Sequence, residues 1–184
     1  SQGGDSDDKR LQMRAARGRA LAAAANGDDM GAMREFQNGL VLDPTDPWIR
    51  YEFAEFQIRR GRVPEAESLL RSLSTMNQPD ALYAAALLNN DLGRATEAAR
   101  LIEMIPEAQR TAPMRSFAIG VKTDAAIARA KAMAAGGQQA PALAALRQLG
   151  AMSAVPVGKQ AAVANALYEL GDVQGASAVA ENAA

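Results

Sequence analysis

Two absent residue types limit the chemistry open to this chain. Its 184 residues include neither Cys nor His, which excludes thiol nucleophiles, Ser-His-Asp triads, disulfides, iron–sulfur clusters and the usual zinc sites. Carboxylates, Lys, Tyr and Ser remain, but no arrangement of them forms a catalytic constellation. We therefore predict no enzyme, no metal site and no cofactor. The single Trp and the three Tyr are suited to binding instead, because they combine apolar area with a polar tip.

Charge and hydropathy narrow the range of partners. The formal net charge is −1, which argues against a general nucleic-acid binder. No apolar run approaches the roughly 18 residues that a membrane span needs. The chain is 48% apolar, and Ala alone supplies 42 residues. Since Ala favours helix and few β-branched or aromatic residues are present, we predict a helical protein.

The glycines reveal an internal repeat. Gly27 and Gly61 are 34 residues apart, as are Gly137 and Gly171, and Gly93 follows Gly61 by 32 residues. Each of these five glycines has Ala seven residues before it and Ala five residues after it. Glycine tolerates the left-handed conformation that ends a helix, so each unit is predicted to be a helix, a glycine turn and a second helix. The alanines then mark the places where neighbouring helices cross closely.

This pattern resembles the tetratricopeptide repeat, a 34-residue helix–turn–helix unit. The resemblance implies an all-α, right-handed superhelix, or α-solenoid, and the alternative is an unrelated Ala-rich bundle. We place five repeats at residues 13–46, 47–78, 79–106, 123–156 and 157–184. In domain terms, residues 1–8 are a flexible N-terminal segment, 9–106 hold repeats one to three, and 123–184 hold repeats four and five. No capping helix follows repeat five, so we expect a fragment of a longer array.

One stretch interrupts the period. Gly93 and Gly137 are 44 residues apart, about ten more than one unit. Met114, Phe117, Ala118 and Val121 in this insertion form one apolar stripe at helical spacing. We predict that residues 107–122 form an inserted, unpaired helix that acts as a hinge. The hinge residues are Pro113, Phe117 and Gly120, and the alternative is a rigid insert packed on both sides.

The order of several motifs points to one family. The chain contains Asp46-Pro-Trp48 at the start of the second repeat, Leu82-Tyr-Ala84 in the third, and Ile105-Pro-Glu-Ala-Gln109 before the insertion. In this order the motifs resemble the cellulose synthase operon protein C family over about residues 40–180. The resemblance implies a periplasmic scaffold of bacterial cellulose synthesis and export, with other subunits of the synthase complex as partners. It also implies a full-length protein that continues to an outer-membrane β-barrel.

In a tetratricopeptide array the first helix of each repeat lines the concave groove. Counting in register places twelve candidate binding residues there: Arg14, Arg17, Trp48, Tyr51, Glu55, Arg59, Tyr83, Asn90, Lys131, Asn165, Tyr168 and Glu169. A protein segment could lie in this groove, or a glucan chain could stack on the aromatic rings. Trp48, Tyr83 and Tyr168 could equally be packing residues. Arg10, Arg14 and Arg17 form a basic stripe that could meet an acidic partner or an anionic envelope polymer, or could simply be solvated.

We predict a periplasmic, non-enzymatic scaffold that binds protein partners through this groove and links the inner-membrane synthase to the outer-membrane exit pore. The alternatives are direct binding of the nascent glucan chain and an unrelated cytosolic adaptor of the same fold.

Overall fold

The structure, a computed structural model, describes residues 2–184. Within these residues every regular element is helical, which confirms the all-α prediction. The ten α-helices are α1 (Gln2–Ala25), α2 (Asp29–Leu42), α3 (Pro47–Arg59), α4 (Val63–Thr75), α5 (Pro79–Asp91), α6 (Ala95–Glu103), α7 (Ala112–Ala135), α8 (Gln139–Gly150), α9 (Val157–Glu169) and α10 (Val173–Ala183). One turn of 3-10 helix, Glu107–Gln109, precedes α7.

The helices follow one another as five pairs, and a glycine turn joins the two members of each pair. The five turn glycines all have positive φ, between 74° and 91°: Gly27, Gly61, Gly93, Gly137 and Gly171. Only a residue without a Cβ adopts this conformation at little cost. The glycine period therefore located every turn between paired helices.

The alanines that flank these turns are buried. The set before the turns consists of Ala20, Ala54, Ala86, Ala130 and Ala164, and the set after them of Ala32, Ala66, Ala98, Ala142 and Ala176; none is more than 8% exposed. The larger residues one helical turn further on are buried as well in the first four pairs, at Phe36, Leu70, Ile102 and Leu146. Small residues at the crossings let the helix backbones approach, and these larger side chains fill the remaining core.

The chain divides into two compact units, one up to Leu88 and one from Asn89 onward, with the boundary inside α5. The core of the first unit contains three phenylalanines. Phe36 of α2 stacks on Phe53 of α3, with ring centroids 5.1 Å apart, and contacts Phe56 at 5.7 Å. The core of the second unit is aliphatic and joins α7, α8, α9 and α10 around Leu146, Val163 and Leu167.

The structure corrects the prediction of a separate, unpaired inserted helix. The segment forms the N-terminal half of α7, which runs for 24 residues without interruption through Gly120. Thr111 begins this helix by accepting a hydrogen bond from the Met114 N–H at 3.3 Å, and Pro113 fits its first turn. No further proline follows before Ala135, and no glycine follows Gly120 in this stretch, so no helix-breaking residue lies where repeat four was expected to begin.

The added half of α7 is also packed. Met114, Ala118 and Val121 of the predicted stripe are each no more than 3% exposed. The helix packs against α6, and Lys122 forms an ion pair with Glu103 at the end of α6. The segment is therefore not an unpaired helix.

Part of the segment predicted to be flexible, residues 2–8, is helical in the structure, and its flexibility stays a prediction. Ser1 lies outside the described residues. Residues 2–8 form the first two turns of α1. No proline interrupts this stretch, and Asp5, Asp7 and Asp8 place negative charge near the positive N-terminal end of the helix dipole.

Candidate functional site

Helix α3 carries four of the predicted groove residues on one face. It begins after Asp46, whose carboxylate accepts a hydrogen bond from the Trp48 N–H at 2.7 Å, and Pro47 fits its first turn. The four residues that follow at steps of three or four, and therefore share a face, are Trp48, Tyr51, Glu55 and Arg59. All of them except Arg59 are partly buried.

The aromatic residues of this face form a cluster. The Trp48 and Tyr51 ring centroids are 5.5 Å apart at an interplanar angle of 78°, and Tyr83 of α5 lies 6.1 Å from Trp48 at 85°. Both contacts are edge-to-face, the geometry that the charge distribution of aromatic rings favours. The structure thus brings together the three predicted aromatic residues of the first unit, in planes that are far from parallel.

Hydrogen bonds continue the row beyond the aromatic cluster. The Tyr51 hydroxyl donates to Glu55 Oε1 at 2.9 Å, and Arg59 donates to Glu55 Oε2 at 2.9 Å. The Glu55 side chain is 16% exposed, whereas that of Arg59 is 74% exposed. Glu55 therefore orients its neighbours, and Arg59 presents most of its guanidinium group to solvent.

An ion pair joins α1 to α3 beside this row. Arg17 Nε donates to Glu52 Oε2 at 2.6 Å, and the second guanidinium nitrogen donates to Glu52 Oε1, so the pair is bidentate. The hydrogen bond to Glu52 raises the pKa of Arg17 above its ordinary value. Arg17 is therefore committed to a contact within the chain, whereas the neighbouring candidate Arg14 is exposed.

Two clefts open between α1 and α3. Along α1, one is lined by residues that precede Arg17 and the other by residues that follow it. The larger, which we call the Phe56 cleft, measures about 490 Å³; its apolar lining includes Leu21, Phe36 and Phe56, and its polar lining includes Glu55 and Arg59. The smaller, which we call the Trp48 cleft, measures about 320 Å³ and is lined by Arg10, Met13, Arg14, Asp43, Asp46, Pro47, Trp48 and Asp80. An apolar side chain fits the first cleft, and polar or charged groups fit the second.

The remaining groove candidates belong to the second unit. Lys131 of α7 forms an ion pair with Glu169 of α9 at 3.0 Å. Asn165 and Tyr168 of α9 are exposed, and Tyr168 is 66% exposed. Asn90 is exposed near the end of α5. These residues form no aromatic cluster of the kind seen around Trp48.

The three predicted hinge residues lie within α7. Pro113 is exposed in its first turn, Phe117 is partly buried, and Gly120 lies inside the helix with the Lys159 side chain as its nearest neighbour. The prediction that they form a hinge stays a prediction.

Sequence reasoning missed Glu52 and Arg60. Arg60 Nε donates to Asp29 at 2.9 Å, and its NH2 group donates to the Ala24 carbonyl at 2.9 Å, which fixes one end of the Phe56 cleft. Arg17 and Glu52 are 35 residues apart, which is close to the length of one repeat. Opposite charges at this spacing were therefore the sequence signal that could have predicted an ion pair between neighbouring repeats.

Over residues 2–184, no helix is long and apolar enough to cross a membrane. No group of three or more acidic side chains in this part of the chain could hold a metal ion.

Comparison with known proteins identifies the class of this fold. A sequence profile of the tetratricopeptide repeat matches residues 23–90. Among solved structures, a kinesin light chain protein of Podosopora anserina with TPR-like repeats gives a TM-score of 0.55 at 18% identity, covering 97% of this chain and 93% of that one. MamA gives a TM-score of 0.54 at 15% identity, covering 94% and 90%. The chain is an α-solenoid of tetratricopeptide repeats.

Curated relatives carry a more specific name. Cellulose synthase operon protein C of Pseudomonas fluorescens (strain SBW25) is 34% identical over 83% of this chain, and that of Xanthomonas axonopodis pv. citri (strain 306) is 29% identical over 93%. The chain spans 12% of the length of either relative. It is homologous to a stretch of cellulose synthase operon protein C, which confirms the resemblance inferred from its motifs. Repeats of this fold are typical of protein-interaction scaffolds rather than of catalysts.

Proposed function

We propose that this chain is a non-enzymatic, periplasmic binding module of bacterial cellulose synthesis and export. In this role it holds a segment of another subunit of the synthase complex in the groove along α1, α3 and α5, and so helps to link the inner-membrane synthase to the outer-membrane exit. The homology to cellulose synthase operon protein C supports the setting. The observation that carries the binding role is the Phe56 cleft beside the aromatic cluster.

The shape of the cleft supports a protein segment. Leu21 provides exposed apolar surface at this cleft, where Phe36 and Phe56 are almost fully buried, and Glu55 and Arg59 provide polar groups. A volume of about 490 Å³ accommodates one or two large side chains of a partner. Buried apolar side chains surrounded by polar contacts are the usual source of affinity in protein interfaces.

Binding of purified subunits of the same synthase complex tests this function. Leu21 lines the Phe56 cleft and is 42% exposed, whereas Met30 of α2 does not line it and is 82% exposed. We expect Leu21→Glu to weaken binding about tenfold or more, because a carboxylate would be desolvated against Phe36 and Phe56. The matched change Met30→Glu should leave the affinity unaltered. Equal affinities for both variants, measured by surface plasmon resonance, would contradict the proposal.

Direct glucan binding is the second candidate, and the exposure of Tyr168 favours it. This residue is 66% exposed, next to Glu169 and one turn from Asn165, so a sugar ring could stack on it while polar groups bond its hydroxyls. The Trp48 cluster favours it less, since planes at 78° and 85° do not let one flat glucan chain stack on two rings at once. Cello-oligosaccharides at millimolar concentration should shift the Tyr168 ring resonances if glucan binds in the second unit, and the Trp48 emission if it binds in the first. Unchanged spectra would count against direct contact.

A further inference from the structure

A stripe of arginines on α1 borders the groove and is only partly used by the fold. Arg10, Arg14 and Arg17 follow one another at steps of four and three residues, so they share one face of the helix. Arg17 is bonded to Glu52. Arg10 and Arg14 are exposed, and neither forms a hydrogen bond or an ion pair with any residue in the part of the chain that the structure describes. Two guanidinium groups therefore stand one helical turn apart in the lining of the Trp48 cleft.

The position of these arginines connects them to the apolar cleft. The Arg17–Glu52 pair lies between Arg14, which lines the Trp48 cleft, and Leu21, which lines the Phe56 cleft. A segment bound along α1 would therefore contact the positive charge of Arg14 and, two helical turns further toward the C-terminus of α1, the apolar surface at Leu21. This order of surface properties specifies the chemistry of the segment that fits.

We propose that the groove binds an acidic segment of a partner protein. One or two carboxylates of the segment pair with Arg10 and Arg14 in the Trp48 cleft, and a large apolar side chain enters the Phe56 cleft. This inference rests on the proposed function, since it names the kind of protein segment that the groove takes. The two arginines carry it, because both lack a partner among the described residues, whereas Asp43 and Asp46, two of the three carboxylates that line the same cleft, have one.

The lining of the Trp48 cleft also contains three carboxylates. Asp43 accepts a hydrogen bond from the Thr45 hydroxyl at 3.0 Å, and Asp46 caps α3. Asp80 lies in the first turn of α5, where a negative charge suits the helix dipole. Their negative charges repel an acidic ligand that comes close to them. Removing the charge of Asp80 should therefore strengthen binding of an acidic ligand and weaken binding of a basic one.

Two synthetic peptides test the inference on the whole chain. One is acetyl-Glu-Asp-Leu-Phe-Glu-amide, and the other is its uncharged counterpart acetyl-Gln-Asn-Leu-Phe-Gln-amide. Nitrogen-15 NMR titration follows the arginine Nε–H signals and the Trp48 indole signal. We expect the acidic peptide to bind about fivefold more tightly at low salt, with the difference shrinking as salt screens the exposed charges.

Matched variants locate the effect. Arg14→Gln and Arg19→Gln each remove one positive charge from α1, but Arg19 is paired with Glu35 of α2 at 3.0 Å and lines neither cleft. Arg14→Gln should weaken the acidic peptide about threefold to fivefold and leave the neutral peptide unchanged. Arg19→Gln should alter neither affinity, and Asp80→Asn should strengthen the acidic peptide.

The outcomes separate this inference from the proposed function. If both peptides bind in the groove with equal affinity, the acidic specificity is wrong and protein binding stands. If neither peptide shifts the groove signals, the inference fails, and the surface plasmon resonance comparison of Leu21→Glu with Met30→Glu decides the proposed function. Vesicles of phosphatidylglycerol provide the remaining comparison: Arg14-dependent binding to vesicles without peptide binding would overturn the inference in favour of an anionic surface.

Discussion

At the residue scale, Asp28 and Asp172 are equivalent N-cap residues in the first and last repeats. Each precedes the second helix of its repeat and accepts a hydrogen bond, at 2.9 Å, from the N–H of a glycine three residues later, Gly31 or Gly175. A Cβ placed on Gly31 would overlap Asp28 Oδ2. The capping carboxylate occupies the space of a side chain there, which explains a glycine inside a helix.

This arrangement predicts that the two residues are energetically coupled. Asp28→Ala should lower the free energy of unfolding by about 1 kcal/mol, because the cap is lost. Gly31→Ala alone should bring little gain, since its methyl group displaces the cap. In the Asp28→Ala background the same change should stabilise by up to about 1 kcal/mol, the usual preference of a helix for Ala over Gly. Urea denaturation of the four proteins measures this cycle, and strictly additive changes would refute the coupling.

Residue positions in the candidate site were more predictable than their contacts. The repeat register placed Trp48, Tyr51 and Glu55 on one helix face, because that placement depends only on helical periodicity. The partners Glu52 of Arg17 and Asp29 of Arg60 come from other helices. Which side chains meet across helices depends on the crossing geometry, which periodicity does not contain.

At the element scale, the glycine turns should be the most sensitive connections. Gly61 has φ of 74°, and no atom lies within 4 Å of the position that an alanine methyl group would take, so a substitution there changes backbone strain without a clash. We expect Gly61→Ala to destabilise by about 1–2 kcal/mol. Gly18 is an exposed glycine inside α1 with equally open space, and Gly18→Ala should stabilise by about 0.5–1 kcal/mol. Thermal unfolding of both variants tests the contrast, which would be refuted if the two shifts had the same sign.

The link between α6 and α7 is held by Arg110. Its side chain is 9% exposed, Nε donates to the Ile105 carbonyl at 2.9 Å, and NH1 pairs with Glu107 at 3.0 Å. Arg110→Ala should cost about 1–3 kcal/mol, because the Ile105 carbonyl of the link loses its donor. Glu107 is 73% exposed, so Glu107→Ala should cost less than about 1 kcal/mol. Equal losses for both variants in urea denaturation would show that the ion pair, rather than the carbonyl contact, holds the link.

The length of helix α7 could not be predicted from the sequence. The five turns were predictable because each needs a glycine at a fixed distance from two alanines. The junction near residue 122 has no such marker, and the repeat period alone suggested a boundary there. Since neither proline nor glycine occurs between Val121 and Ala125, the backbone hydrogen bonds of the helix continue. Thr123 adds a hydroxyl hydrogen bond to the Ile119 carbonyl at 2.8 Å.

At the scale of the whole molecule, the contacts of α7 argue against the predicted hinge. Lys122 pairs with Glu103 of α6, and Asp124 accepts a hydrogen bond from Lys159 of α9 at 2.7 Å, all inside the second unit. We expect the amides of residues 116–122 to exchange with deuterium as slowly as those of residues 123–135. A hinge at Pro113, Phe117 and Gly120 instead requires fast exchange in the first half of α7. Hydrogen-exchange mass spectrometry distinguishes the two results.

The positive φ angles of the five turn glycines have a consequence for chemical synthesis. A D-amino acid has the mirror-image steric preference of its L counterpart, so D-alanine fits this conformation without the strain that L-alanine would meet. It would also restrict the disordered chain more than glycine does. Replacing glycine by D-alanine at any of these five sites should therefore increase stability in a polypeptide that otherwise consists of L-amino acids.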